Sequence, residues 1–185
     1  MAPIRHFIRL LSALVLVFLL AAPATAQTQS VRLIEQDIKA GLLYNFLRYT
    51  AWPPATRVDE AMIVCIYGDD PFEGRLEPMS GRTVNQRRIL VRNVRNDRDL
   101  ETCALLFINA EERADWPHLR SYLAGRSVLT VSDYDGFARS GGILEFTRIN
   151  NRIGVRVNVV AAETANLSVQ DRLLRLASVV RTGVQ

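Results

Sequence analysis

The sequence predicts a single α/β domain with a mostly parallel central sheet, helices on both faces and an antiparallel hairpin near the C-terminus. Its 185 residues, with 49% hydrophobic and 23% charged side chains, have the composition of one ordinary globular domain. Three short runs have continuous rather than alternating hydrophobicity, which is typical of parallel strands buried on both faces. Segments with helical periodicity lie on either side of them.

The first 26 residues have the three parts of a secretory signal peptide. Arg5 and Arg9 give a positive start, an apolar run covers residues 10–22, and small residues lead up to Ala26. We expect cleavage after Ala26, which leaves residues 27–185 as the mature domain. The alternative is an uncleaved membrane anchor. It is disfavoured because the apolar run is shorter than the roughly 20 residues that span a bilayer.

The first element of the mature chain is an amphipathic helix that ends near Tyr49. Apolar residues recur along it at intervals of four, which predicts one buried face. Pro53 and Pro54 prevent its continuation, because neither can donate a backbone hydrogen bond. The recurring residues are Ile34, Ile38, Leu42 and Phe46, and the stripe is widened by Val31, Leu43 and Leu47.

Buried strands are predicted at residues 61–67, 103–108 and 127–132, each bounded by polar or turn-forming residues. Between the first two lies the segment 88–95, which carries arginines on one face, as an exposed edge strand does. Residues 111–123 are expected to form the helix between the second and third buried strands.

The C-terminal part is predicted to hold a β-hairpin and a helix. Strands at 143–146 and 153–157 are separated by Asn150-Asn151, which is typical of a turn between antiparallel strands. Ser168, with an acidic residue three positions later, is expected to cap a final helix packed on the sheet. The apolar face of that helix is expected to carry Val169, Leu173, Leu176, Ala177 and Val180.

Two cysteines, Cys65 and Cys103, lie in the first two buried runs. Export would place them in an oxidising compartment, where an intramolecular disulfide is the expected state of a lone pair. Two unpaired, buried thiols in neighbouring strands are the alternative. Two cysteines and two histidines are too few for a four-ligand zinc module, and we expect neither a metal nor a cofactor.

The residues offer no good candidate for nucleophilic catalysis, and we expect that the protein is not an enzyme. His118 is the only histidine left after cleavage, and the sequence has no Gly-x-Ser-x-Gly nucleophile motif. A surface histidine explains His118 better than the general base of a hydrolase does.

A small-molecule pocket at the strand ends is one hypothesis for function. The segments 68–72 and 133–137 follow buried strands, at the edge where open α/β sheets often bind ligands. Phe72, Tyr134 and Phe137 are the candidates to line such a pocket, although core packing explains them about as well.

Two surfaces are candidates for docking a partner protein. On the hairpin, Leu144 and Phe146 share one face and Arg156 lies on the second strand, the composition of an interaction hot spot if the apolar pair faces outward. The alternative is that this pair belongs to the core. Six arginines between Arg82 and Arg98 form either a solvated edge or a docking surface for an acidic partner. Nucleic acid is not expected there, because no aromatic residue for base stacking interrupts the stretch.

Short motifs are spread in order along nearly the whole mature chain. They are Lys39-Ala40, Tyr44-Asn45-Phe46, Trp52-Pro53, Gly68-Asp69-Asp70-Pro71-Phe72, Cys103, Leu106-Phe107-Ile108, Leu129-Thr130-Val131-Ser132, Phe137-Ala138, Gly141-Gly142-Ile143, Asn158, Ala161-Ala162 and Leu173-Leu174-Arg175-Leu176-Ala177. This pattern resembles the YfiR family of exported bacterial signalling proteins.

The resemblance implies a periplasmic regulator with an α/β fold, often dimeric, that is not inserted in the membrane after cleavage. The best-known members repress an inner-membrane diguanylate cyclase by binding its periplasmic domain, so that the cyclase makes less cyclic di-GMP. The positions of Cys65 and Cys103 look like those of the family's structural disulfide. Some relatives carry a second cysteine pair near the hairpin, which this sequence lacks.

Overall fold

The computed structural model describes residues 24–54, 61–150 and 152–182. Most of the predicted signal peptide lies outside these ranges, so cleavage after Ala26 stays a prediction. The chain divides into two compact units, residues 1–35 and residues 36–185, and the sheet belongs to the second. Within the described ranges, no helix has both the length and the apolar character needed to cross a membrane.

Helix α1 (Ala24–Arg48) is present, and its buried face agrees with the predicted stripe from Leu43 onward but not before it. Ile38 is exposed, whereas Leu43 and Leu47 are fully buried. Residues spaced by four drift around a helix that has 3.6 residues per turn, so they leave the core side within a few turns. The buried face follows a mixed spacing of three and four: Gln36, Lys39, Ala40, Leu43, Phe46 and Leu47.

Ten strands are described: β1 (Thr50–Ala51), β2 (Met62–Tyr67), β3 (Thr83–Val84), β4 (Arg87–Val94), β5 (Cys103–Ile108), β6 (Leu129–Ser132), β7 (Leu144–Ile149), β8 (Arg152–Asn158), β9 (Ser168–Val169) and β10 (Ser178–Val180). Eight of them form one sheet in the order β10-β8-β7-β6-β5-β2-β4-β3, while β1 and β9 pair separately. Only β3–β4 and β7–β8 are antiparallel in the large sheet. The predicted mostly parallel sheet is confirmed.

Helices cover both faces of this sheet, as predicted. One core cluster joins the buried face of α1 to alternate residues of β2, including Val64. The other joins the intervening residues of β2, including Cys65, to α2 (Asp97–Leu100) and α3 (Trp116–Tyr122). Because strand side chains alternate between the faces, this double covering explains why the predicted strands are apolar at successive positions.

Two predictions beside these strands need correction in detail. Strand β4 lies next to the edge of the sheet, because the short strand β3 is the outermost one. Strand β3 pairs only with Arg87 and Arg88, at the beginning of β4. The helix expected at 111–123 starts as a 3-10 helix (Ala110–Asp115) and becomes α-helical only from Trp116.

The predicted hairpin is confirmed. Strands β7 and β8 pair antiparallel, from Leu144 opposite Val157 to Ile149 opposite Arg152. Asn150 at the turn has a φ of 47°, in the left-handed region that asparagine tolerates better than most residues.

The predicted C-terminal helix is wrong. Ser168 lies in β9 instead of capping a helix, and only α5 (Asp171–Leu174) is helical in this part of the chain. Leu173 is buried as expected, but 81% of Leu176 is exposed. The following residues form β10, which pairs with β8 at the sheet edge. Pairing with distant strands has overridden the local helical spacing.

Gly142 lies against the ring of Phe137, and an added Cβ atom there would overlap that ring. The ring cannot easily move aside, since it is fully buried with Trp116 and Tyr134 at centroid distances of 4.5 and 5.2 Å. We expect Gly142→Ala to lower the free energy of unfolding by about 1–3 kcal/mol, measured by urea denaturation.

Gly41→Ala is the matched control. Gly41 is an exposed position of α1, and an added Cβ meets no described atom within 4 Å. Because alanine restricts the unfolded chain and favours helix, this variant should be about 0.5–1 kcal/mol more stable than the wild type. Equal effects of the two substitutions would contradict the close packing at Gly142.

Candidate functional site

Cys65 and Cys103 form a disulfide between β2 and β5, as predicted. Their Cα atoms are 5.8 Å apart, and both residues lie in the core cluster that contains residues of α2 and α3. Both cysteines are buried. The bond therefore links two core strands instead of presenting a reactive sulfur to solvent.

The hairpin residues Leu144 and Phe146 lie in the core, with 0% and 4% of their surfaces exposed. Phe146 stacks on Phe46 of α1, with the ring centroids 5.6 Å apart. Ile143 and Glu145, which alternate with them, are buried as well. This corrects the expectation of an outward apolar set, because the surrounding chain covers both faces of this part of the hairpin.

Arg156 forms an ion pair with the fully buried Glu145, which lies directly opposite it on β7. The same carboxylate accepts a hydrogen bond from the Ala138 backbone N–H at 2.9 Å. The Arg156 guanidinium also lies 3.5 Å from an Asp135 oxygen, and only 19% of its side chain is exposed. The buried Glu145 carboxylate therefore connects the loop after β6, through the Ala138 N–H, with Arg156 on the second strand of the hairpin.

Asn158 is a second polar anchor for that loop, and the sequence did not reveal this role. Its Nδ2 donates a hydrogen bond to the Ala138 carbonyl at 2.7 Å. Its Oδ1 accepts one from the Ala161 N–H at 3.1 Å and so caps α4 (Val159–Thr164). The available signal was an asparagine directly before a helical segment.

Lys39 and Asp133 form an ion pair between α1 and the end of β6. The Lys39 Nζ lies 2.9 Å from Asp133 Oδ2, and the side chains are 8% and 18% exposed. Lys39 is the only lysine of the chain. Its partner lies 94 residues away, a separation at which sequence spacing carries no pairing signal.

Phe72, Tyr134 and Phe137 are core residues and do not line a common pocket. Phe72 packs edge-on against Phe107, with centroids 4.8 Å apart, in the cluster that contains α1. Tyr134 and Phe137 belong to the cluster on the other face of the sheet. Burial raises the pKa of the Tyr134 hydroxyl above its ordinary value of 10.0. Core packing therefore explains these three aromatic residues.

Strand β4 presents Arg88, Leu90 and Arg92 outward, and this surface is named the arginine edge. All three side chains are exposed, Leu90 by 38%, whereas the alternating Ile89 is fully buried. Among the described residues, no strand pairs with the outer side of β4 beyond Ile89. No carboxylate of the described chain lies within 4.0 Å of either arginine. Unpaired positive charge, an exposed leucine and an open strand edge therefore occur together.

His118 lies at the surface, with 64% of its side chain exposed. Its Nε2 is 3.1 Å from both carboxylate oxygens of Asp97. Its exposure and this contact with Asp97 are those of a surface histidine.

Residues 36–178 match the model of the YfiR/HmsC-like family. The chain belongs to this family. The match confirms the resemblance seen in the short motifs, and it covers the disulfide, the Glu145–Arg156 pair and the arginine edge. No curated protein matches the chain significantly.

In this YfiR/HmsC-like chain, the matched span begins at residue 36, which is also the first residue of the second compact unit. It ends at residue 178, the first residue of β10. It therefore includes at least part of every strand of the large sheet. Membership is consistent with a periplasmic regulator of diguanylate cyclase signalling.

Proposed function

We propose that this protein is a periplasmic, non-enzymatic regulator that binds the periplasmic domain of an inner-membrane signalling protein. The target is a diguanylate cyclase, which the protein represses so that cyclic di-GMP falls. The observation that carries the proposal is the family match over residues 36–178. The predicted signal peptide and the homodimer implied by the resemblance complete it.

The arginine edge is the surface proposed to contact the partner. An open strand edge offers N–H and C=O groups that can pair with a strand of another chain. Arg88 and Arg92 favour an acidic partner and speed its approach, while Leu90 supplies an apolar contact. The hairpin lacks this combination, since Leu144 and Phe146 are buried.

The experiment compares two pairs of charge reversals. Arg88→Glu with Arg92→Glu changes the arginine edge, and Arg175→Glu with Arg181→Glu changes two exposed arginines near the C-terminus. Binding is measured against the purified periplasmic domains of the diguanylate cyclases encoded in the same genome. We expect the first variant to bind at least about tenfold more weakly and the second to bind as the wild type does.

Cyclic di-GMP is the cellular readout, and it should rise only in cells that carry the edge variant. Both variants should keep the wild-type melting curve. If the wild type bound none of these periplasmic domains, the function would be contradicted. If both variants bound equally well, only the choice of surface would be contradicted.

A further inference from the structure

A cavity of about 340 Å³ lies between α3, α4 and the beginning of β6. Its volume is in the range of known small-molecule sites. Its walls are mostly apolar and include Trp116, Leu123, Val128, Ile143 and Ala161. None of the strand-end aromatic residues predicted from the sequence lines it.

The cavity occupies a gap in the sheet. Strands β6 and β7 pair at only two positions, both in the second half of β6. Earlier in β6, the side-chain oxygen of Thr130 accepts a hydrogen bond from the Ile143 N–H at 3.1 Å, which replaces a backbone ladder. Ala161 of α4 borders the gap, and its small side chain leaves space unfilled.

Arg120 brings a positive charge to this apolar cavity. Trp116 and Arg120 are four residues apart on α3, and both donate hydrogen bonds to the Ser140 carbonyl, at 3.1 and 3.0 Å. Arg120 is half-buried and has no carboxylate of the described chain within 4.0 Å. Since a guanidinium carries five N–H donors, it keeps donors for an anion after binding Ser140.

Arg126 adds a second cation to the lining. Its Nε donates to the Tyr122 carbonyl at 3.2 Å, and its guanidinium lies 4.8 Å from the centre of the Tyr122 ring. The nearest carboxylate is that of Glu101, 3.9 Å away and half exposed, so it compensates the charge only weakly. The cavity thus combines apolar walls with an excess of positive charge.

We propose that this cavity binds an amphipathic monoanion, with a compact apolar body inside and a carboxylate on Arg120 and Arg126. Apolar walls favour the body of such a ligand, and guanidinium groups match the geometry of a carboxylate. This site does not depend on the proposed regulatory function or on the arginine edge.

The probes are decanoate, decanol and decyltrimethylammonium, which share one alkyl chain and differ in charge. Binding to the purified protein is measured by calorimetry below the concentration at which each probe forms micelles. Decanoate should bind and raise the melting temperature, decanol should bind at least about tenfold more weakly, and the cation should not bind. No binding of decanoate, or equal binding of decanoate and decanol, would overturn the proposal.

Three variants locate the site. Arg120→Gln removes the charge but keeps a donor for Ser140, and it should weaken decanoate binding about tenfold or more. Thr164→Trp fills the cavity from an exposed position of α4 and should abolish binding. Arg98→Gln changes an exposed arginine outside the cavity and should bind as the wild type does.

If Arg120→Gln fails to fold, Arg126→Gln provides the same charge test without the Ser140 contact. Circular dichroism confirms that each variant is folded before binding is measured. Unchanged decanoate affinity in both Arg126→Gln and Thr164→Trp would place the bound probe elsewhere and overturn the proposal.

Discussion

Replacing Glu145 with leucine is expected to lower the free energy of unfolding by about 3 kcal/mol. The carboxylate is fully buried, neutralises Arg156 and accepts the hydrogen bond of the Ala138 N–H. Leucine is similar in size but leaves a largely buried guanidinium without its main partner and a buried N–H without an acceptor. Urea denaturation at neutral pH measures the loss.

The double variant Glu145→Leu, Arg156→Leu separates the two causes. Removing both charges should restore much of the free energy of unfolding that the single variant loses. An apolar pair can replace a buried ion pair because no buried charge is then left without a counter-charge. Asp135→Asn is the control, since this exposed contact of Arg156 should contribute little. A single variant as stable as the wild type, or a double variant no more stable than the single one, would contradict this account.

Replacing both Cys65 and Cys103 with alanine is expected to lower the free energy of unfolding by about 4 kcal/mol. The bond joins residues that are 38 positions apart, so its loss lets the unfolded chain adopt many more conformations. The fraction of this variant that remains folded should still bind the proposed periplasmic partner domain, because the buried bond acts on stability. Denaturation under non-reducing conditions measures the first effect, and the binding assay measures the second.

Reduced wild-type protein is the control for the cysteine variant, since it keeps both sulfur atoms and loses only the bond. It should unfold at nearly the same urea concentration as the alanine variant. Mass spectrometry of the untreated protein should detect no free thiol. Reduced and oxidised wild type that unfold together would show that the disulfide adds no stability.

The positions of the six longer strands could be predicted from the sequence, but the short strands β1, β3, β9 and β10 and the exposure of individual side chains could not. Residues 61–67 and 103–108 are apolar at successive positions, which directly reflects burial on both faces. For the hairpin, alternation separated Leu144 and Phe146 from Ile143 and Glu145. It did not show that both sets are covered, because that depends on chain segments distant in sequence.

The C-terminal segment shows the opposite situation, a clear local pattern that the fold overrides. Apolar residues from Val169 to Val180 have helical spacing, and Ser168 stands where a cap would stand. A short helix is stabilised mainly by its packing, so spacing alone is a weak constraint. Instead of a long helix, this segment forms two strands that make backbone hydrogen bonds with other parts of the chain. Strand β9 pairs with β1, and β10 pairs with the edge of β8.

The polar interactions inside the fold show no comparable local signal. Lys39 forms an ion pair with Asp133, which lies 94 positions away in the sequence. Glu145 is fully buried, although the sequence of its strand is that of an ordinary hairpin. A buried charge is tolerated only where a counter-charge is close, and that proximity is created by folding. The cavity beside Arg120 arises in the same way, from a gap between two strands.

The sequence by itself determined the α/β class, the main strands and the hairpin, since each depends on local hydrophobicity or turn residues. For the two cysteines it favoured a disulfide over free thiols, and the structure decided between them. The tertiary structure alone decided that Ile34 and Ile38 of α1 are exposed and that residues 168–169 and 178–180 form strands. It also decided that Leu144 and Phe146 are core while Arg88 and Arg92 are exposed. Burial and pairing are properties of contacts between distant segments, so they are set only when those segments pack together.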